Sequence, residues 1–292
     1  MSDPVQYAYR SGPLTLCYWQ WGADEKPPLL LIHGGRDQSR SFDDLAARFA
    51  ADYRVIAPDL RGHGDSDWSN EAHYTLTDFV ADLILLVDQI EGGPIDVIGH
   101  SLGGNLALRI AAIVPERIRR LVAIESLELP LTRNSSVDGI PLADRWRAWL
   151  TERRSDPARV RRVYPTLAAA VERIAREFPQ LDRQLVNHLA AHSTRSVSDG
   201  LVWKYDDRTR TRPPEDVAGG EFDQLLAAIH CPTLFFYGDA SWIPLPSPTR
   251  LALLADHRLV QLPGAGHWLH HERLDQVAAD IASFFRDNPH HD

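Results

Sequence analysis

Gly99-His100-Ser101-Leu102-Gly103, followed by Gly104, concentrates more chemistry than any other short segment of this chain. It has the form G-x-S-x-G, a serine on a turn so tight that flanking side chains would collide unless glycine stands on either side. An apolar run, Ile95-Asp96-Val97-Ile98, precedes it, and helical spacing from Leu102 to Val114 follows. That strand–turn–helix context is what gives the motif its meaning, because it presents the hydroxyl as a nucleophile. The first free amides of the helix, Leu102 foremost, then face the oxyanion that attack creates. A serine needs a base to accept its proton, and thirteen histidines compete for that task. His63 and His100 lie in turns beside glycines and read as structural, although His100, next to the serine, is also a pocket candidate. His270-His271-Glu272 lacks a matching third metal ligand and reads as a solvated helix start. His267 is different. It ends the glycine loop Pro263-Gly264-Ala265-Gly266 after an apolar strand, a setting that can lay an imidazole over a sheet edge, and it is the predicted general base.

The elements that must position these residues follow from periodicity. Val5–Tyr9 and Leu14–Trp19, separated by Gly12-Pro13, predict an antiparallel hairpin. Leu29–Ile32, Tyr53–Ala57, Ile95–Gly99 and Leu121–Ile124 are short apolar runs, the pattern of strands buried on both faces. Between them, Phe42, Leu45, Ala46 and Phe49 share one helical face, as do Phe79, Leu83, Leu86, Val87 and Ile90 behind a Thr77 or Asp78 cap. Strands alternating with helices imply a mostly parallel, doubly wound α/β sheet. The alternation stops at Leu129-Pro130. From there to about Glu221 the spacing predicts helices (146–153, 167–178, 181–191) and no clear strand. Strands resume at Thr233–Tyr237 and Leu259–Leu262, and Leu274–Phe285 closes as a helix. The expected organisation is a core of 1–128 and 222–292 with a helical cap, 129–221, inserted after strand six over the sheet edge where open α/β sheets bind ligands.

Composition narrows the classes. The 292 residues carry a formal charge of −9, which argues against a nucleic-acid grip and against anionic membranes. Two cysteines, Cys17 and Cys231, are too few for a disulfide framework. The first residues lack a basic and apolar leader pattern, and no window approaches the ~18 apolar residues of a membrane span. The expectation is a cytoplasmic protein that acts on a small molecule, with no bound metal or organic cofactor.

With the pieces His33-Gly34-Gly35, Asp59-Leu60-Arg61-Gly62-His63-Gly64-Asp65-Ser66, the serine turn, Pro115-Glu116-Arg117-Ile118 and Gly264-Ala265-Gly266-His267, the chain resembles the α/β-hydrolases over nearly its whole length. The similarity is to their capped, esterase and epoxide-hydrolase-like branch. The resemblance implies the chain order serine, acid, histidine, and makes Gly35 the partner of Leu102 in the oxyanion hole. It implies that the Asp59–Ser66 loop sets shape. It also raises a question about the acid. Such proteins commonly carry it after the seventh strand as G-x-x-D, but here Gly238-Asp239-Ala240-Ser241 puts serine at that place and Asp239 two residues early. Some relatives carry the acid after the sixth strand instead, where this chain has Glu125. Glu125 is the expected acid and Asp239 the alternative.

The reading is a serine hydrolase cleaving a carboxylic ester or lactone through an acyl-enzyme. Serine, where aspartate would be needed, disfavours haloalkane and epoxide hydrolysis. The alternatives are carbon–carbon bond hydrolysis of a ring-cleavage product, with Arg36 a possible anchor for an acidic substrate, an amidase or lyase on the same triad, and a ligand receptor with slow turnover. Trp146, Trp149, Trp203, Tyr205 and Trp268 are the aromatic candidates for a substrate pocket.

Overall fold

The computed structural model describes residues 3–129, 140–155, 161–210, 213–214 and 219–289. The first strands, β1 (Val5–Ser11) and β2 (Leu14–Trp21), pair antiparallel about Gly12. There follow β3 (Pro28–Ile32), α1 (Asp43–Phe49), β4 (Arg54–Pro58), α2 (Leu76–Gln89), β5 (Ile95–His100), α3 (Leu102–Ile113) and β6 (Ile118–Ile124). An insertion then holds α4 (Leu142–Ser155), α5 (Leu167–Glu177), α6 (Arg183–Ser193), β7 (Thr194–Val197) and β8 (Gly200–Trp203). The chain returns through α7 (Gly219–Ala227), β9 (Thr233–Gly238), the short α8 (Pro248–Leu251), β10 (His257–Leu262), the short α9 (Leu269–Glu272) and α10 (Leu274–Asp287). Eight strands form one sheet in the order β1-β2-β4-β3-β5-β6-β9-β10, parallel from β4 to β10.

Alternation along each central strand divides the core into two layers. Leu30 and Ile32 of β3 pack with Phe79 and Leu83 of α2, Leu106 and Ile110 of α3, and Phe222 and Leu226 of α7. Leu29 and Leu31 point the other way, to Leu45 and Phe49 of α1 and Val277, Ile281 and Phe284 of α10. This is the doubly wound α/β sheet expected from the sequence. Polar links tie its ends. Buried Asp96 on β5 accepts from Arg119 at 2.9 Å and from Arg120 at 2.8 Å on the neighbouring β6. Asp59 accepts backbone N–H groups from Ser39 and Asp65, both at 2.8 Å, which closes the Asp59–Ser66 loop on itself.

Three local expectations need correction. The cap of α2 is Thr75, not Thr77 or Asp78: its side chain accepts the Asp78 N–H while the Asp78 carboxylate accepts the Thr75 N–H. The insertion is not purely helical, since β7 and β8 pair as a hairpin turning through Ser198-Asp199, with Gly200 at φ 142°. The Ser198-Asp199-Gly200 cluster of turn residues was its signal. His270 is buried, not solvated: α9 is one turn held against the sheet, and the ring sits among Phe42, His100 and His271. Among the described residues no helix is long and apolar enough to cross a membrane.

Candidate active site

The carboxyl ends of β3, β5 and β6, three neighbours in the sheet, each carry a non-glycine residue in the left-handed region: Arg36 at φ 63°, Ser101 at φ 52° and Glu125 at φ 53°. Such conformations cost free energy and persist where the surrounding structure enforces them. At Ser101 the enforcement is visible. Its N–H donates to the Ile124 carbonyl at 2.8 Å, and α3 begins at the next residue. A Cβ on Gly99 would lie 2.5 Å from the Gly103 oxygen, and one on Gly103 would lie 2.1 Å from the Ile32 oxygen. The glycines of the motif are therefore contact points between β5, α3 and β3, and only their lack of side chains lets the turn close.

His267 reaches the same region from the loop after β10. Gly264 turns the chain at φ 65°, the Gly266 N–H donates to Glu272 at 2.7 Å, and Gly238 on β9 leaves room for the Ala265 carbonyl. The imidazole Nδ1 lies 3.3 Å from Glu125 Oε2. Glu125 is fully buried, and its other oxygen accepts the Gly238 N–H at 2.6 Å while Oε2 accepts the Ser241 hydroxyl at 2.5 Å. Asp239, by contrast, is exposed and accepts the Gly264 N–H at 2.5 Å, an orientation that shapes the loop carrying His267. Of the two carboxylates weighed from the sequence, the one in contact with the imidazole is Glu125.

Burial sets the protonation of this pair, because it disfavours either charged form. It pushes the Glu125 carboxyl up to about 7, against the hydrogen bonds from Ser241 and Gly238 that pull it down. It lowers the His267 imidazole to about 4, with Glu272 acting weakly in the opposite sense. The imidazole is thus neutral at neutral pH. In the tautomer whose Nδ1–H donates to the Glu125 carboxylate, the other nitrogen is an acceptor.

Ser101, His267, Gly35, Leu102, Arg36, His100, Trp203, Tyr205 and Trp268 all line one cavity of about 830 Å³ between the sheet end and the insertion. The pocket residues named from sequence divide here. Trp268 stacks on Phe178, the residue after α5, with ring centroids 3.7 Å apart, joining the His267 loop to the insertion. Trp146 does not line the cavity. It packs edge-on against Trp149, 5.2 Å away on the same helix, because the apolar residues of α4 meet each other one turn apart. Trp242, 65% exposed and 5.0 Å from the His267 ring, lines the cavity and was missed, as was Phe178. Both lie in stretches whose periodicity says nothing about which face meets a pocket. His100 is buried, with Nε2 2.9 Å from the His267 carbonyl oxygen, so it braces the loop that carries the base.

Potential metal ligands gather elsewhere, at Asp43, His188 and His192, whose ligand atoms lie within 4.8 Å of one another. Both oxygens of Asp43 already accept from Arg40, and His188 Nε2 lies 2.9 Å from the Arg40 carbonyl oxygen. This group joins α6 to the core.

A buried strand, a strained serine at its tip, a helix starting behind it and a late histidine over the same sheet edge define the architecture of a hydrolase on a doubly wound sheet. The chain belongs to the alpha/beta hydrolase family, whose model matches residues 29–280. A serine hydrolase-like protein of Danio rerio is 29% identical over 194 residues, 64% of this chain and 57% of that protein, so the match spans little more than half of the relative. A putative esterase/lipase of Haemophilus influenzae is 24% identical over 264 residues, 90% of this chain and 84% of its own. Among solved structures, a thioesterase domain from the curacin biosynthetic pathway superposes with a TM-score of 0.85 at 27% identity, covering 96% of this chain and all of that one.

Proposed function

We propose that this protein is a serine hydrolase that cleaves a carboxylic ester or lactone, with thioesters included by likeness to the thioesterase domain. The observation that carries the reading is the contact between buried Glu125 and His267 at the cavity that Ser101 also lines. In this scheme Ser101 Oγ forms a bond to the substrate carbonyl carbon as His267 takes its proton. The oxyanion lies against the amides of Gly35 and Leu102. Collapse of the intermediate expels the alcohol or thiol, which receives that proton from His267. Water, deprotonated by the same imidazole, then releases the acid and restores the serine. Glu125 orients the ring and stabilises its transient charge.

The test uses a short-chain p-nitrophenyl ester and a fluorophosphonate probe. Wild type is expected to turn over the ester and to be labelled. Ser101→Ala is expected to lose turnover by orders of magnitude and to lose labelling, with its circular dichroism retained. Labelling that persists in Ser101→Ala would remove the nucleophile assignment.

A further inference from the structure

Beside the main cavity lies a smaller space of about 180 Å³, and the charge of its wall runs against that of the whole chain. Arg161, Arg162, Arg173 and Arg210 line it, and Asp207 is the one acid among its described lining residues. Four arginines thus border one small space in a protein whose formal charge is −9, Arg161 and Arg173 half-buried and Arg162 and Arg210 exposed. The space also adjoins the main cavity, because Arg173, Trp203, Tyr205 and Arg210 line both.

Internal partners satisfy part of this charge. Arg173 pairs with Glu177 at 2.8 Å and Arg210 with Asp207 at 3.6 Å. Arg161 donates to the Trp203 carbonyl at 2.5 Å and lies 4.4 Å from the centre of the Trp68 ring. Arg162 lies 5.1 Å from the centre of the Tyr164 ring. Among the described residues neither Arg161 nor Arg162 has a carboxylate within ion-pair distance. Arg195 crowds the group further, its guanidinium 4.7 Å from the same Trp68 ring. Burial and this like-charged neighbour hold Arg161 below the ordinary arginine value, against the opposing pull of Asp207 and Asp206. Arginine stays protonated at any working pH, so a bound anion would offset the remaining charge where deprotonation does not. Carboxylate and phosphate oxygens match the planar guanidinium fork, which is why such sites favour arginine.

We propose that this branch is an anion subsite, and that the substrate of the Ser101 site carries a carboxylate or phosphate set back from the bond that is cleaved. The inference rests on the hydrolase reading above and adds a substrate class to it. Trp203 and Tyr205, whose rings stack with an interplanar angle of 9°, form the wall along which the part of the substrate between its reactive carbonyl and its anion would lie.

The experiment compares paired substrates on the intact protein. One pair is p-nitrophenyl acyl esters of equal length, with and without a terminal carboxylate. The other is thioesters whose thiol does or does not end in a phosphate. The first pair places the anion on the acyl side and the second on the leaving group, so the preferred pair identifies its source. Wild type is expected to favour the charged member of one pair in kcat/KM. Arg162→Gln is expected to reduce that ratio by at least about tenfold, the scale of one lost charge-assisted hydrogen bond. Ratios near one in both pairs, or a ratio unchanged in Arg162→Gln, overturn the subsite while leaving ester hydrolysis standing. If no ester is cleaved and no fluorophosphonate label is taken up, the hydrolase reading fails instead. Calorimetry with inorganic phosphate then judges the branch alone: binding weakened in Arg162→Gln supports an anion site, and no binding refutes it.

Discussion

Ser241 holds the place in the β9 loop where similar proteins commonly carry a carboxylate, and replacing it probes the proposed acid directly. Its Oγ donates to Glu125 Oε2 at 2.5 Å and accepts the Ile243 N–H at 3.1 Å. A hydrogen bond to the charged form favours that form, so this one opposes the burial that lifts Glu125 to about 7. Ser241→Ala removes it. A hydrogen bond to a charged group contributes roughly 1.5–3 kcal/mol, and about 1.36 kcal/mol corresponds to one pKa unit. The carboxyl is therefore expected to rise by roughly one to two units in the variant. The sign follows from the mechanism: a more tightly held proton leaves less carboxylate at a given pH, so the acid limb of kcat/KM moves to higher pH. At pH 7 activity should fall by roughly 5- to 50-fold, and near pH 9 to 10 most of it should return. The imidazole, at about 4, titrates too low to overlap this limb. Because the pair is coupled, the measured value belongs to the pair and not to one residue. The assay is a pH–kcat/KM profile on a weakly activated ester, followed by pH-stat, with circular dichroism as a check on folding. A uniform loss at all pH values, or a limb that stays in place, would refute the idea that Ser241 tunes this carboxyl.

Three further outcomes are expected. Glu125→Gln keeps the shape but favours the wrong imidazole tautomer, so kcat should fall by roughly 10⁴, the scale of that defect in a serine protease; Asp239→Asn should fall far less, and the opposite order in steady-state kinetics would move the acid to the β9 loop. Gly103→Ala sets a methyl 2.1 Å from the Ile32 carbonyl oxygen, so urea unfolding should show a loss of roughly 1–3 kcal/mol, with ester turnover falling further because the serine turn shifts. Asp96→Asn leaves Arg119 and Arg120 without their shared buried carboxylate, and the same unfolding measurement should show a loss of roughly 3–5 kcal/mol; a midpoint unchanged from wild type would mean that the pairs contribute nothing net.

What was legible in the sequence was local. Leu29–Ile32 and Ile95–Gly99 read as buried strands because every position but Asp96 is apolar or small, and both are central in the sheet. The serine turn was legible because its glycines answer to contacts within a dozen residues and to the strand beside it. Thr75 was passed over in favour of residues two and three positions later, since its role depends on the reciprocal bond from Asp78. The burial of His270 was illegible: its ring environment comes from Phe42 and His100, distant in sequence, and its polar character argued for solvent. Trp146 and Trp242 show the same limit for the pocket. An aromatic residue signals burial against something, but whether that is a neighbour on its own helix or the wall of a cavity depends on tertiary placement.

The acid illustrates how topology converts two distant sequence positions into alternatives. Glu125 and Ser241 are 116 residues apart, yet β6 and β9 are neighbours in register, Ile124 opposite Phe236. The Glu125 N–H still bonds to the Phe236 carbonyl at 2.9 Å, one step past that pair, so the tips of the two strands remain joined where they leave the sheet. Glu125, at the tip of β6, reaches the imidazole carried in from beyond β10, and Ser241, in the loop after β9, reaches Glu125. When the carboxylate stands on β6, the β9 tip is left with a different requirement: it must present hydrogen-bond donors to that buried charge. Ser241 and the Gly238 amide do so at 2.5 and 2.6 Å. Serine suits position 241 in this arrangement, because it is small and can donate to the buried glutamate.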